Sequence, residues 1–241
     1  MIIYTTDGSM RNFLTAVFDA YNKNAVIADE NYIQLSIDSD VIKTDTDEVK
    51  AERVKKRLND IDIYALGDVD LVLRSGDSLK EQTAFEYIKL LIEERRPIRK
   101  MLHHPTVIQV TDITAKVIGE AHNMKGFLRF IETESGALYA PYSPDNDITD
   151  LIAPHFAARL GATNFVIHDI KRKKAALYNG CEWFMANAGE AGIYLSEYER
   201  AFEVLWKTYY NSVNLTERPH EKQMKGYMPV RYWKFMPEKK G

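Results

Sequence analysis

The sequence has little cysteine and no long apolar run. Its 241 residues include one cysteine, Cys181, which excludes an intrachain disulfide and a thiolate-rich metal centre. No apolar stretch reaches the roughly 20 residues needed to cross a bilayer. The first residues also lack the basic and apolar pattern of a secretory signal peptide. We therefore expect a cytoplasmic protein with no membrane partner.

An excess of one charge is also missing. The chain has 32 Lys and Arg against 35 Asp and Glu, which gives a net charge of -3 at pH 7. This balance creates no whole-molecule field that attracts nucleic acid, so any polyanion binding must come from local basic patches. The hydrophobic share of 45% and the charged share of 28% are typical of soluble globular proteins. The length allows one large domain or two small ones.

Several motifs that carry known chemistry are absent from the sequence. The chain has no G-x-x-x-x-G-K-[ST] loop, no G-x-G-x-x-G and no G-x-S-x-G. It also lacks the H-x-E and C-x-x-C pair of zinc deaminases and the cysteines of an iron–sulfur centre. No ligand-like spacing links its histidines, so we predict neither a metal site nor a cofactor.

Hydrophobic spacing in the first half predicts mainly helices with short strands. A strand is expected at residues 2–4, followed by a helix that Ser9 or Asp7 caps. Residues 61–73 fit either a strand or a helix, and helical neighbours favour the helix. Further elements are a strand at 33–37 and helices at about 47–58, 79–95 and 107–124.

The second half predicts a small mixed or antiparallel sheet with helices, so the fold class is α+β. Strands are expected at 127–130, 137–142, 164–168, 175–178 and 182–186. Asn179-Gly180 indicates a type I′ hairpin turn, and Ser196 is expected to cap a helix to about residue 210. We predict a helix-rich region at 1–123 and an α+β region with a basic, aromatic tail at 124–241, or one integrated domain.

Two polar clusters in the second half are candidate sites. His155 and Arg159 lie four residues apart on one helix face and suit phosphate binding, although a capping or packing histidine beside a surface arginine is the more common explanation of such a pair. Asp169 follows a buried-looking strand and precedes Lys171 and Arg172. A carboxylate beside cations can act as a base or ligand, whereas a solvated turn is the alternative.

Arg129 and the tail are further candidates. Arg129 lies in an apolar segment, where a charge needs a partner such as Glu120 or Asp169, or a ligand. In the tail, Arg231 and Trp233 belong to a mixture of cations and aromatic residues. This mixture suits DNA phosphates and stacked bases, but it is also compatible with packing onto the domain.

A series of short motifs in a fixed order carries a family resemblance. The motifs are Tyr4-x-x-Asp7-Gly8-Ser9, Phe13-Leu14-x-x-Val17-Phe18, Met124-Lys125-Gly126-Phe127-Leu128-Arg129-Phe130, Tyr142-x-Pro144, His155-Phe156-x-x-Arg159, Ile167-x-Asp169-x-x-Arg172, Leu205-Trp206-x-x-Tyr209, Arg218 and Met228-Pro229-x-Arg231-Tyr232-Trp233. With them the chain resembles a bacterial family of DNA-metabolism or DNA-repair proteins of unknown mechanism. Members are encoded beside a radical-SAM DNA modification or repair protein, and similar domains are fused to uracil-DNA-glycosylase-like domains.

The resemblance implies a protein that binds DNA or a damaged nucleotide and acts with a radical-SAM partner. Together with the residue patterns, it favours a phosphate-binding set of Arg129, Arg159, Lys171, Arg172, Arg218, Arg231 and Trp233. Two alternatives remain open. One is a stand-alone enzyme with His155 and Asp169 as acid and base on a nucleobase or glycosidic bond. The other is a non-catalytic scaffold.

Overall fold

The computed structural model describes residues 2–30, 40–133, 136–188 and 229–235. The chain divides into two compact units, Met1–Gly119 and Glu120–Gly241. Both contain helices and strands, which confirms the α+β class. The domain boundary at 123/124 stays a prediction. Within the described ranges, no helix is both long and apolar enough to span a membrane.

The first unit contains a three-stranded parallel sheet. Its strands are β1 (Ile2–Thr6), β2 (Ala25–Asp29) and β3 (Asp40–Lys43), in the order β2-β1-β3. Helix α1 (Met10–Ala20) connects β1 to β2. The Ser9 side chain accepts a hydrogen bond from the Asn12 amide, so Ser9 is the cap of α1. The sequence pattern missed β2 and β3, and the strand expected at 33–37 lies outside the described residues.

Four further helices begin in this unit: α2 (Glu48–Ile61), α3 (Ala65–Leu73), α4 (Lys80–Glu94) and α5 (Pro105–Phe127). They confirm the helical interpretation of the first half, including the ambiguous stretch that becomes α3. Pro105 begins α5, where its fixed φ and missing N–H are tolerated. The core is built from buried apolar faces that include Phe13, Leu58, Val69, Phe85, Ile88 and Leu91.

The second unit is organised around a five-stranded mixed sheet. Its strands run in chain order across the sheet: β4 (Ile131–Glu132), β5 (Leu138–Tyr142), β6 (Phe165–Asp169), β7 (Lys174–Tyr178) and β8 (Trp183–Asn187). Strands β5 and β6 are parallel, and the other neighbouring pairs are antiparallel. Helix α6 (Thr149–Leu160) connects the parallel pair and packs against β6, β7 and β8.

An aromatic cluster holds α6 on this sheet. The centroid of the Phe130 ring lies 5.1 Å from the ring centroid of Phe156 of α6 and 5.7 Å from that of Phe165 of β6. Both pairs have edge-to-face geometry. Phe156 and Phe165 are each only 1% exposed. Since Phe165 is the first residue of β6, this contact places the second half of α6 beside the amino ends of the parallel strands.

The expected strand at 127–130 is wrong. Helix α5 continues through Gly126 to Phe127, and the Leu128 amide still bonds the Met124 carbonyl at 3.0 Å. The alternating pattern therefore reflects a helix end and its exit segment, where Leu128 is buried and Phe130 enters the aromatic cluster. Regular strand geometry begins only at Ile131.

The expected type I′ turn at Asn179-Gly180 is also wrong. Only Gly180 of this pair has a positive φ, of 88°, whereas type I′ requires positive φ at both central residues. The strands are joined by a longer loop in which the Asn179 side chain accepts bonds from the Cys181 and Glu182 amides. A side chain at Gly180 is excluded because a Cβ there would lie 2.7 Å from the Ala162 carbonyl oxygen.

Part of the predicted tail is described. The helix expected at 196–210 lies outside the described residues. Val230–Phe235 forms a short 3-10 helix in which Tyr232 is buried. This 3-10 helix contacts β5.

Candidate functional site

Two polar segments emerge at the carboxyl edge of the parallel pair β5 and β6. The register places Tyr142, the last residue of β5, beside Asp169, the last residue of β6. The loop at 143–148 leads from β5 into α6, and the turn at 170–173 leads from β6 into β7. In open α/β sheets, this edge of a parallel pair is the usual position for a ligand.

Arg172 ties the turn to the loop. One amino group of its guanidinium donates to Asp169 at 2.9 Å and to the Pro144 carbonyl at 3.2 Å. The other amino group donates to the Asp145 carbonyl. Asp169 is fully buried and also accepts the Arg172 backbone amide at 3.1 Å. Because a buried unpaired carboxylate is costly, this ion pair fixes the turn.

Glu120 of α5 binds the backbone amides of the same loop. Its carboxylate accepts the backbone amides of Asp145 at 2.9 Å and Asn146 at 2.8 Å. The Asn146 side-chain amide adds a bond of 2.7 Å. Burial alone raises the pKa of Glu120, but its hydrogen bonds, foremost from the Tyr232 hydroxyl, outweigh burial and lower that pKa. Glu120 is therefore an ionised clamp, a role that the sequence did not indicate.

The 3-10 helix joins this network through two adjacent residues. The buried Tyr232 hydroxyl donates to Glu120 and accepts from Arg231 at 2.9 Å. Burial and the bond to Glu120 raise the pKa of Tyr232, so the phenol stays protonated. Arg231 also pairs with the Asp145 carboxylate at 2.9 Å. The Asp145 carbonyl thus accepts a hydrogen bond from Arg172, and the Asp145 carboxylate pairs with Arg231.

Solvent-exposed cations surround this paired network. Lys171 and Lys173 are exposed in the turn, and Lys173 has a left-handed φ of 52°. Lys174 differs, because it is partly buried and pairs with Asp147. The Arg231 side chain is 45% exposed and its guanidinium lies 4.6 Å from the Tyr232 ring centroid.

The structure brings together four of the predicted site residues, Asp169, Lys171, Arg172 and Arg231. Trp233 lies two residues after Arg231 in the same 3-10 helix and is partly exposed.

Two other predicted residues, His155 and Arg159, lie away from this edge. Helix α6 starts at the carboxyl edge, where Tyr142 and Thr149 share a hydrogen bond of 2.8 Å, and runs towards the amino ends of the strands. His155 and Arg159 are exposed in its second half, and the His155 ring contacts Phe156 edge-on at 5.1 Å. Arg218 lies outside the described residues.

Arg129 also differs from its expected setting. It follows the end of α5 and donates to the Gly126 carbonyl at 3.0 Å. Its two suggested carboxylate partners have other cations beside them, Arg231 at Glu120 and Arg172 at Asp169.

A separate pair lies on the opposite face of β6 from Asp169. The His168 ring nitrogen Nδ1 and the Tyr139 hydroxyl are 2.8 Å apart. Burial lowers the pKa of His168, which outweighs the opposite effect of the neighbouring Asp169. His168 is therefore a neutral, packed imidazole near pH 7.

The sequence profile of a family described as a domain of unknown function, DUF4130, matches residues 78–238. The match covers about two thirds of the 241-residue chain. The chain belongs to the DUF4130 family. The matched range includes α4, α5 and all of the sheet in the second unit, and therefore the whole network around Asp145. No curated protein matches the chain significantly.

Proposed function

We propose that this DUF4130 protein acts in DNA metabolism or repair and binds DNA, or a damaged nucleotide, at the carboxyl edge of β5 and β6. The observation that carries the proposal is the turn at 170–173, where Arg172 is anchored inward and Lys171 and Lys173 are exposed. Exposed cations on a fixed backbone suit phosphate contacts, which supply most of the affinity for nucleic acid.

The charges around the turn support the same proposal. Glu120 and Asp169 are buried and bonded to donors, so their negative charge is compensated within the protein. Asp145 and Asp147 pair with Arg231 and Lys174, so Lys171 and Lys173 remain as the exposed cations of the turn. Arg231 adds a cation at this edge, and the partly exposed Trp233 lies in the same 3-10 helix; such residues suit a nucleic-acid backbone and an unstacked base.

Binding is favoured over acid–base catalysis by the partners of Asp169. Both of its oxygens accept bonds from Arg172, whereas His155 lies on the exposed second half of α6. A general base needs hydrogen-bond reach to a reacting group, and a buried carboxylate engaged by arginine lacks that access. We therefore propose an accessory role beside a radical-SAM enzyme, the partner that the family resemblance implies.

A salt titration tests the DNA part of the proposal. Fluorescence anisotropy of labelled single- and double-stranded oligonucleotides should show binding at about 50 mM salt that weakens as salt rises. Each phosphate contact contributes roughly 0.9 to the logarithmic salt slope for duplex DNA. Undetectable binding at about 50 mM salt, or affinity independent of salt, contradicts DNA binding.

Co-purification tests the accessory role separately. The full chain should retain a co-expressed radical-SAM protein from the same genome after washing in nuclease-treated buffer. Loss of the complex on nuclease treatment would indicate bridging by DNA. Absence of any complex would remove the partner from the proposal while leaving DNA binding unaffected.

A further inference from the structure

The first unit has its own carboxyl edge, formed by three parallel strands. Strand β1 is central, with β2 on one side and β3 on the other. The chain reaches β2 from β1 through α1 and then crosses to the opposite side of β1 to form β3. This reversal of strand order is a topological switch point, where a crevice for ligands forms beyond the strand ends.

A row of polar side chains crosses this edge on one face of the sheet. The register pairs Thr6 of β1 with Asp29 of β2. It also pairs Thr5 with Lys43, so Thr6 lies beside Thr44, the next residue after β3. Thr6, Asp29 and Thr44 are 1%, 7% and 6% exposed. Three buried polar side chains therefore lie next to each other where the parallel strands end.

Two members of this row have no hydrogen-bond partner. Among the described residues, the Oγ1 atoms of Thr6 and Thr44 are buried and unpaired. Within the same described ranges, both carboxylate oxygens of Glu81, near the start of α4, are also buried without a hydrogen-bond partner, and Glu81 is 1% exposed. Buried polar atoms nearly always have a partner, and unpaired ones indicate a bound ion, water or ligand.

The nearby Lys80 does not replace that partner. Its ammonium lies 3.7 Å from an Asp29 oxygen and 3.6 Å from a Glu81 oxygen, which exceeds hydrogen-bond length. A well-formed pair in the same unit, Lys50 with Asp19, has contacts of 2.8 and 3.0 Å. Lys80 thus lies between the two carboxylates without satisfying Glu81, and burial raises the pKa of Glu81 to about 7.

We propose that Asp29 and Glu81, together with the hydroxyl of Thr6, bind a hard divalent cation such as Mg²⁺ or Mn²⁺. All three groups offer oxygen, the ligand atom that these cations prefer. In the described parts of the chain, no cluster of three or more histidine, cysteine or acidic side chains is arranged for a metal. Two carboxylates with water completing the shell are nevertheless typical of magnesium sites.

The cation and Lys80 compete for the same two carboxylates. The Lys80 side chain is 15% exposed, and its long flexible stem allows the ammonium to turn towards solvent. A divalent cation that binds here displaces the ammonium, so a charge of +2 replaces a charge of +1 beside the two carboxylates. Replacing Lys80 should therefore tighten binding of the cation, whereas replacing Asp29 or Glu81 should weaken it.

Manganese binding to the full-length protein tests this site without nucleic acid. Electron paramagnetic resonance of free Mn²⁺ should show saturable binding that Mg²⁺ reverses. Asp29→Asn and Glu81→Gln should each weaken binding by about tenfold or more, since loss of a site group commonly costs that much. Glu93→Gln, at an exposed glutamate of the same helix, is the matched control and should bind as the unaltered protein does.

Lys80→Met should bind Mn²⁺ several-fold more tightly, because the competing ammonium is gone. Circular dichroism checks that each variant is folded, and a gain in affinity for Lys80→Met requires an intact site. No saturable binding below about 10 mM, or equal binding by Asp29→Asn, Glu81→Gln and the control, overturns the site and assigns the unpaired atoms to buried water. Either result is independent of DNA binding at the second sheet.

Discussion

The two carboxyl edges of this protein treat buried polar groups in opposite ways. At the second sheet, Glu120 and Asp169 receive bonds from backbone amides, a tyrosine or an arginine. At the first sheet, the side-chain oxygens of Thr6, Thr44 and Glu81 are buried without such bonds to any described residue. A satisfied network stabilises loops and presents other groups to solvent, whereas an unsatisfied one retains capacity for a ligand. The difference predicts opposite responses to mutation.

Removing the Glu120 carboxylate should give the largest loss of stability. Glu120→Ala leaves two backbone amides and the Tyr232 hydroxyl without their acceptor in a buried site. We expect a loss of about 3–5 kcal/mol in the free energy of unfolding, measured by urea denaturation. Glu182→Ala, at an exposed glutamate, should change stability by less than about 0.5 kcal/mol. Equal losses for both variants would contradict the clamp.

Removing Arg172 should have the next largest effect. Arg172→Ala leaves Asp169 buried and without its ion-pair partner, which we expect to cost about 3 kcal/mol. The double variant Arg172→Ala with Asp169→Ala should lose less than the sum of the single losses, because it removes both charges. Strict additivity in this cycle would mean that the pair does not hold the turn.

Acidification should weaken the second network through Glu120. The pKa of Glu120 is lowered in the folded protein, so its stabilising contribution is present above the unfolded pKa of about 4.3. That contribution is lost as pH falls through the lower folded pKa, since the unfolded chain then binds the proton more readily. Urea midpoints at pH 7 and at successively lower pH should fall more steeply for the unaltered protein than for Glu120→Gln. Parallel curves would contradict this linkage.

The first edge should give the smallest effect on stability. Thr6→Val removes a buried hydroxyl that has no partner in the described chain, so no hydrogen bond is lost. In metal-free buffer we expect a change between zero and about 1 kcal/mol of stabilisation, measured by urea denaturation. A loss of more than about 1 kcal/mol would show that the Thr6 hydroxyl has a stabilising partner in the free protein.

The sequence indicated local structure better than it indicated the networks. Apolar positions at helical spacing and a capping serine were enough to predict α1, and Glu and Arg faces marked α4. Helix α5 runs past its predicted end through Gly126, because the roughly 1 kcal/mol that a glycine costs inside a helix is readily outweighed by tertiary packing. Strand β2, with the sequence AVIAD, is too short and too uniformly apolar to distinguish from a helix segment by period.

Sequence patterns predicted only part of the candidate site. Asp169 and Arg172 are three residues apart, so their proximity is visible in the sequence. The bond between Glu120 and Tyr232 joins residues separated by 112 positions, and no local pattern encodes it. The row of Thr6, Asp29 and Thr44 depends on the register of three strands, which the sequence alone did not supply.

DNA binding by a turn variant is the most direct test of the proposed function. Lys171→Ala with Lys173→Ala removes the two exposed cations of the turn, and Lys56→Ala with Arg57→Ala removes two exposed cations from α2 as a charge-matched control. We predict that anisotropy shows weaker DNA binding and a salt slope reduced by roughly 2 for the turn variant, with the control unchanged. Equal affinity and equal slope for the two variants would contradict DNA binding at the carboxyl edge of β5 and β6.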